Sequence, residues 1–337
     1  MPEPSLPSQR TRRGRLLRWS AGLAVLSAVA GYVVVQYDTG GRGGPGCKVV
    51  SGKDDGATYE FTPEQAVNAA TITAVGTARE LPERAVTIAL ATALQESALR
   101  NIDYGDRDSL GLFQQRPSQG WGTPKEIMDP AYAAGKFYEH LEEVPGYTRL
   151  PLTVAAQKVQ RSGFPQAYAK HEPDATLLAA ALTGRSAATL TCEGRPAATR
   201  AAGAGAVRAA LVRDFGRDAL EPAGAEVGAS GSSGASASSA SSAEAGGSGT
   251  GGSDGGTVTV PVTGGSGADA GRSAGPRGWQ LAHWAVANAS ELHIKRVSYA
   301  GREWTAGHTD SQWRPADGKG SADTDWGAGA VRITTAQ

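Results

Sequence analysis

Residues 95–115 read QESALRNIDYGDRDSLGLFQQ. A run rich in Ala and Leu stops at Glu96 and Ser97, and aspartates, Gly105, Gly111, an aromatic and paired amides follow closely. Upstream, Val86, Ala89, Leu90, Ala93 and Leu94 fall on one face of a helix expected from about Pro82 to Leu99. That places Glu96 at the edge of the apolar face and near the helix C-terminus. Partial desolvation and the negative end of the helix dipole both disfavour an ionised carboxylate there, and so raise its pKa. A general acid working near neutral pH needs such a shift. Gly105 and Gly111 permit tight bends, so SLGLFQQ is expected to fold back onto the end of the same helix.

The surrounding block reads as helical. TPEQAVNAATITAVGTARE, from Thr62, offers a cap, a proline at the first helical position and apolar residues at helical spacing. Further helices are expected near 130–143, 151–161, 173–183 and 203–214. Nothing between Pro63 and Cys192 alternates with period two for long, which predicts an all-helical block and a mainly α fold. Cys47 and Cys192 bracket this block; neither has a Cys or His nearby at metal-ligand spacing, so a disulfide is expected if the compartment is oxidising.

The ends of the chain differ in character. Arg10, Arg12, Arg13, Arg15 and Arg18 precede WSAGLAVLSAVAGYVVVQY, residues 19–37, which carries no charge. It is long enough to span a bilayer as a helix, with the basic segment 1–18 in the cytoplasm and everything later outside. AVA at 28–30 resembles a signal-peptide cleavage site, the secreted alternative, but the apolar run continues through Val33, Val34 and Val35, favouring a retained anchor. One span offers no partner helices to line a solute path, which argues against a transporter. A net charge of zero without a basic face argues against nucleic acid as a partner. Residues 38–57 read as a Gly-rich spacer and 221–277 as a Gly/Ser/Ala-rich disordered linker, in which TVTVPVT (257–263) is either a short strand or nothing. Residues 278–337 then read as a small α/β unit: a helix over 279–294, a hairpin turning at Ala300 and Gly301, and a closing strand AVRITTA. So small a unit needs support from elsewhere in the chain.

Two segments resemble known families. ES at 96–97 with SLGLFQ at 109–114 resembles the Glu-Ser and Gly-Leu-Met-Gln signatures of the lysozyme-like, soluble-type lytic transglycosylases, which cut peptidoglycan glycan strands. The longer stretch ALQESALRNIDYGDRDSLGLFQQRPSQGWGTPKEIMDPAYAAGKFYEHL is similar to an actinobacterial group of membrane-anchored proteins with such a domain. The resemblance, placed over 58–196, implies a lysozyme-like helical domain needing no cofactor. It implies Glu96 as catalytic acid, Ser97 as its support, and Gly111, Leu112, Phe113, Gln114 and Gln115 as groove lining. Trp121, Phe113 and Tyr132 are candidates for stacking on sugars. A third signature of that family, an aromatic-Asn-Ala-Gly, finds no match; Gln160, Ser162 and Tyr168 stand in its region as groove contacts. Lytic transglycosylases use one Glu and the sugar's own 6-hydroxyl, whereas a lysozyme-type hydrolysis would recruit one of Asp103, Asp106 and Asp108. Those aspartates otherwise read as caps of a polar turn. The alternative to an enzyme is a wall-binding scaffold that keeps the fold without turnover.

GWQLAHWAVANASELHIKRVSYAGREWTA with QWRP (312–315) resembles the last part of a domain related to zinc D-Ala-D-Ala carboxypeptidases. The zinc-binding His-Val-His of those enzymes falls here on Ala330, Val331 and Arg332, and His283, His293 and His308 are not spaced to converge. A relic without metal is expected. The helix at 203–216 resembles the start of the same domain, which would make the low-complexity stretch an insertion within it.

Overall fold

The computed structural model describes residues 46–53, 55–163, 166–194, 203–220, 256–262, 274–307, 312–316 and 329–336. All of them belong to one compact unit, Pro45–Gln337. The expected anchor (19–37), most of the expected linker and His308 lie outside the described residues. Among the described residues no helix is long and apolar enough to cross a membrane.

The helices are α1 (Pro63–Ala78), α2 (Glu83–Ser97), α3 (Pro124–Ile127), α4 (Pro130–Glu142), α5 (Leu152–Gln160), α6 (Glu172–Leu182), α7 (Gly203–Phe215), α8 (Ala274–Ala287) and α9 (Ala289–Leu292). The strands are β1 (Cys47–Val50), β2 (Thr58–Phe61), β3 (Leu190–Cys192), β4 (Thr257–Pro261), β5 (Ile294–Tyr299), β6 (Arg302–Thr305), β7 (Arg314–Pro315) and β8 (Ala330–Thr335). Thr62 begins α1 with a reciprocal cap: its hydroxyl accepts from the Gln65 amide, and the Gln65 side chain accepts from the Thr62 N–H.

Helix α2 is the centre of the fold, with every residue from Ala85 to Leu94 buried. The sequence suggests one apolar face. In fact α1, α4, α5 and α6 surround the helix. Its polar residues do not oppose this, because Thr87 and Thr92 return their hydroxyls to the carbonyls of Glu83 and Ile88, one turn back.

Three expectations are corrected by strands. Segment 47–50, assigned to the spacer, is β1, and Leu190–Cys192 is a strand rather than part of an all-helical block. Both belong to an antiparallel sheet in the order β2-β1-β3, where Cys47 lies opposite Cys192 and the two form a disulfide. Three-residue strands carry too little alternation to be seen as a period. Within the expected linker, TVTVP, read as either a short strand or nothing, is the strand β4, which pairs with β8 in a second antiparallel sheet ordered β4-β8-β5-β6-β7. The β5–β6 hairpin turns at Ala300 and Gly301, both with positive φ (48° and 69°).

The expected division between 58–196 and 278–337 is not a division in packing. Helix α8 lies between its own sheet and helices α1 and α6. The Trp304 and Trp313 indole N–H groups donate to the carbonyls of Cys192 (3.0 Å) and Leu190 (2.9 Å). Asp214, on α7, is buried and accepts from Thr71 of α1 (3.3 Å) and Trp284 of α8 (2.8 Å), with the Arg213 guanidinium 2.7 Å away. At Gly184 (φ +78°) the chain passes so close to the Pro276 carbonyl that any Cβ would collide with it. The C-terminal unit thus obtains the apolar and polar cover that its size denies it.

His283 completes this junction. Its Nε2 accepts from the Thr189 amide (3.2 Å), so the proton sits on Nδ1, which donates to the Ala181 carbonyl (2.7 Å). Full burial pushes its pKa down from 6.5 to about 4. The unfolded chain therefore binds a proton below pH 6.5 that the folded chain refuses until about pH 4, so stability is lost as the pH falls across that window. The shift corresponds to roughly 3 kcal/mol. Urea unfolding followed between pH 7 and pH 4 should show this loss, and His283→Gln should reduce the pH dependence across that window.

Candidate functional site

The end of α2 explains why the helix stops at Glu96 and Ser97. Ala98 and Leu99 both take positive φ (53° and 58°), and their amides bond back to the Leu94 and Ala93 carbonyls. No glycine provides this turn. It is held instead by α1, where the Gln65 and Asn68 side-chain amides donate to the carbonyls of Ala98 and Leu99 at 2.8 Å each.

Glu96 is half-buried. Its Oε1 accepts from the Tyr168 hydroxyl at 2.7 Å, and Gln160 also hydrogen-bonds the carboxyl. Burial raises its pKa above the usual glutamate value; the two hydrogen bonds oppose that rise without cancelling it. Among the described residues no cation forms an ion pair with it. Ser162 in turn hydrogen-bonds the Tyr168 hydroxyl, whose own pKa is raised by burial and by the adjacent Glu96. The segment standing where the third signature was sought therefore brings Gln160 and Tyr168 to the carboxyl.

Several expected roles change. Ser97 hydrogen-bonds the Ala93 carbonyl and the Leu112 carbonyl (2.8 Å), so it ties the returning loop to the helix end. Gly111 has φ +73° and lies against the Ile127 carbonyl, 2.7 Å from where a Cβ would stand. Leu112 and Phe113 are fully buried, and Phe113 stacks on Phe137 with ring centres 4.7 Å apart. Phe113 is core, not a sugar platform. Gln115 is also buried, its amide donating to the Ala133 carbonyl, while Gln114 bonds the carbonyls of Tyr104 and Gly111. Tyr168 is buried as well, so it serves the carboxyl instead of standing as an open groove contact. Tyr132 places its hydroxyl on the Trp121 carbonyl. The aspartates stay apart from the carboxyl's bonds: Asp103 and Asp106 are exposed, and Asp108 pairs with Arg116 (2.8 Å) and accepts from the Ser118 amide (2.8 Å). Those bonds hold the Asp108 pKa well below the usual carboxylate range.

Beside this cluster lies a cleft of about 540 Å³. Its lining includes Trp121, packed against His140 with ring centres 4.3 Å apart, together with Lys158, Arg161, Gln114 and Gln160. Gln160 bonds both the Phe113 carbonyl (2.7 Å) and Glu96, and so joins the cleft to the carboxyl. His140, Lys158 and Arg161 escape sequence reasoning, because they sit on the helical spacing of α4 and α5 as ordinary exposed or partly exposed residues. On the C-terminal unit, His283 is committed to two backbone groups, and among the described residues no three His, Cys, Asp or Glu side chains gather as metal ligands do.

Residues 257–326 match the family model described as VldE, C-terminal domain. The match starts at β4, grouping that strand with the C-terminal unit, and it ends far from Glu96 in sequence. No curated protein matches the chain.

Removing the phenolic donor should raise the Glu96 pKa further. A carbon-detected NMR titration of the Glu96 carboxyl in Tyr168→Phe is expected to show a midpoint above that of the parent protein, and an unchanged midpoint would contradict the pairing.

Proposed function

We propose that this protein is a membrane-anchored enzyme facing away from the cytoplasm that cleaves peptidoglycan glycan strands between MurNAc and GlcNAc. In this reading residues 19–37 are the single span, the helical part is lysozyme-like, and Glu96 is its acid and base. The observation that carries it is the state of Glu96: a half-buried carboxyl with a raised pKa, held by neutral donors and free of any ion pair among the described residues. Such a group can remain protonated long enough to donate to a glycosidic oxygen. Burial of Tyr168 fixes where that proton faces.

The chemistry needs one carboxyl. Glu96 would protonate the leaving oxygen as the glycosidic bond breaks. As carboxylate it would then take the proton of the sugar's 6-hydroxyl, whose oxygen closes onto the anomeric carbon and leaves a 1,6-anhydro end. The engagement of Asp108 by Arg116 and Ser118 favours this route over one with a second carboxylate. We read the C-terminal unit as a relic of the zinc carboxypeptidase-like fold that now buttresses the helical part through Asp214 and His283. His283, occupied on both ring nitrogens, does not suit a zinc site.

A binding protein without turnover is the second reading, and one observation favours it: the 540 Å³ cleft is lined as far as Gln160 but not by Glu96 itself. Digestion of purified peptidoglycan separates the two. The full chain, and a soluble form beginning at Pro45 so that Cys47 is kept, should release anhydro-muropeptides detected by mass. Glu96→Gln should lower that release by about a hundred- to ten-thousand-fold. Reducing-end products would indicate hydrolysis instead, and retention on the wall with no release would favour the binding protein.

A further inference from the structure

The two sides of the C-terminal sheet differ completely. Helix α8 packs on β5 and β8, and on that side the row Val258, Ile333, Val297 and Trp304 is buried. Residues paired directly across strands point to the same side of a sheet, so the register also assigns the other side. There one row runs Thr257, Thr334, Arg296, Thr305. The next runs Thr259, Arg332, Ser298, Glu303, Arg314. Neither row contains an apolar or aromatic residue.

Three guanidinium groups on this side stand against one carboxylate, although the chain as a whole is neutral. Glu303 is engaged, with the Arg296 guanidinium at 3.4 Å and the Thr305 hydroxyl donating to it at 3.4 Å. Arg296 and Arg314 are exposed; Arg332 is half-buried and forms no ion pair among the described residues. The register fixes their spacing. Arg332 lies opposite Ser298 and Arg296 opposite Thr334, which makes the two arginines diagonal neighbours, about 7–8 Å apart at their bases. Arg314 stands three strands from Arg332 in the same row, about 14 Å away. Hydroxyl groups of Ser298, Thr305 and Thr334 lie between the charges.

Cations at intervals on a flat hydroxylated surface suit an extended polyanion. The composition of the two rows narrows its chemistry. A face that enters a lipid interface carries apolar side chains, and this one has none. Single-stranded nucleic acid is held by aromatic side chains on which its bases stack, and these too are missing from the rows. Guanidinium forks match phosphate oxygens in pairs, and hydroxyls between them can donate to the oxygens that remain.

We propose that the open side of the C-terminal sheet binds a linear polyol phosphate, a polymer of small hydroxylated alcohols joined by phosphodiesters, through Arg296, Arg332 and Arg314. This goes beyond the glycan-cleaving reading, because the face shares no residue with the partners of Glu96 or with the cleft. Only the meeting of protein and polymer outside the cytoplasm rests on that reading. The C-terminal unit then has a ligand of its own, and it needs no metal to hold it.

The test uses the full chain in neutral detergent and follows the anisotropy of a fluorescently labelled oligomer of glycerol phosphate. The oligomer should bind, with an affinity that falls as salt is raised. Arg296→Thr combined with Arg332→Thr should weaken binding about tenfold or more and flatten the salt dependence. Threonine already occupies neighbouring positions of both rows and suits a strand, so thermal unfolding should stay close to that of the parent. Lys48→Thr combined with Lys53→Thr removes the same charge from exposed positions outside this sheet and should leave binding unchanged. Failure to bind, or an equal loss in both double variants, overturns the proposal. So does equal competition, charge for charge, by oligothymidylate, by polygalacturonate or by micelles containing phosphatidylglycerol. Binding that emerges only after Asp317, Asp323 and Asp325 are changed to Asn would assign the face to the chain's own segment between β7 and β8, which also overturns it. Peptidoglycan is absent from every arm, so the glycan-cleaving reading stands or falls separately.

Discussion

Everything in this structure is arranged around a helix that has no wet side. From Ala85 to Leu94, α2 is closed in by neighbouring helices, and its threonines satisfy themselves on its own backbone. Such a helix must emerge somewhere, and it emerges at Glu96. The carboxyl is then caught between an apolar interior and the solvent, which is the physical origin of its raised pKa. Tyr168 and Gln160 compensate part of the lost hydration with fixed donors, leaving the group neither freely solvated nor locked by a cation.

The position of that carboxyl depends on supports from distant parts of the chain. Gln65 and Asn68 on α1 hold the left-handed exit after the helix, Ser97 fastens the Leu112 carbonyl, and Gln160 fastens that of Phe113. The loop that carries Gly111 to Gln115 is therefore a brace more than a surface. Its apolar members fill the core beneath the site, and only its edge at Gln114 reaches the cleft.

The C-terminal unit is part of the same mechanical arrangement. Its tryptophans and His283 bond to backbone groups of β3 and the end of α6, and Asp214 joins α1 to α8 from a buried position. A carboxylate so buried is costly unless its lone pairs are filled, and here Thr71, Trp284 and Arg213 fill them. Helix α1, which carries this junction at Thr71, also carries the Gln65 and Asn68 amides that set the exit from α2.

Local order in the residues determined a good deal: the reciprocal cap at Thr62, the helices on either side of Glu96, the hairpin at Ala300 and Gly301, and the placing of a glutamate at the end of an apolar helix. These are legible because caps, turns and helical periods act between residues a few positions apart. Strands as short as β1 and β3 are not, since they pair across a long stretch of sequence and leave almost no pattern behind. For the same reason Phe113 and Tyr168 read as groove aromatics until packing assigned one to the core and the other to the carboxyl. The gathering of Trp121, His140 and the end of α5 around one cleft was decided by tertiary structure alone, because the cleft joins side chains from a loop and two helices that are far apart in sequence.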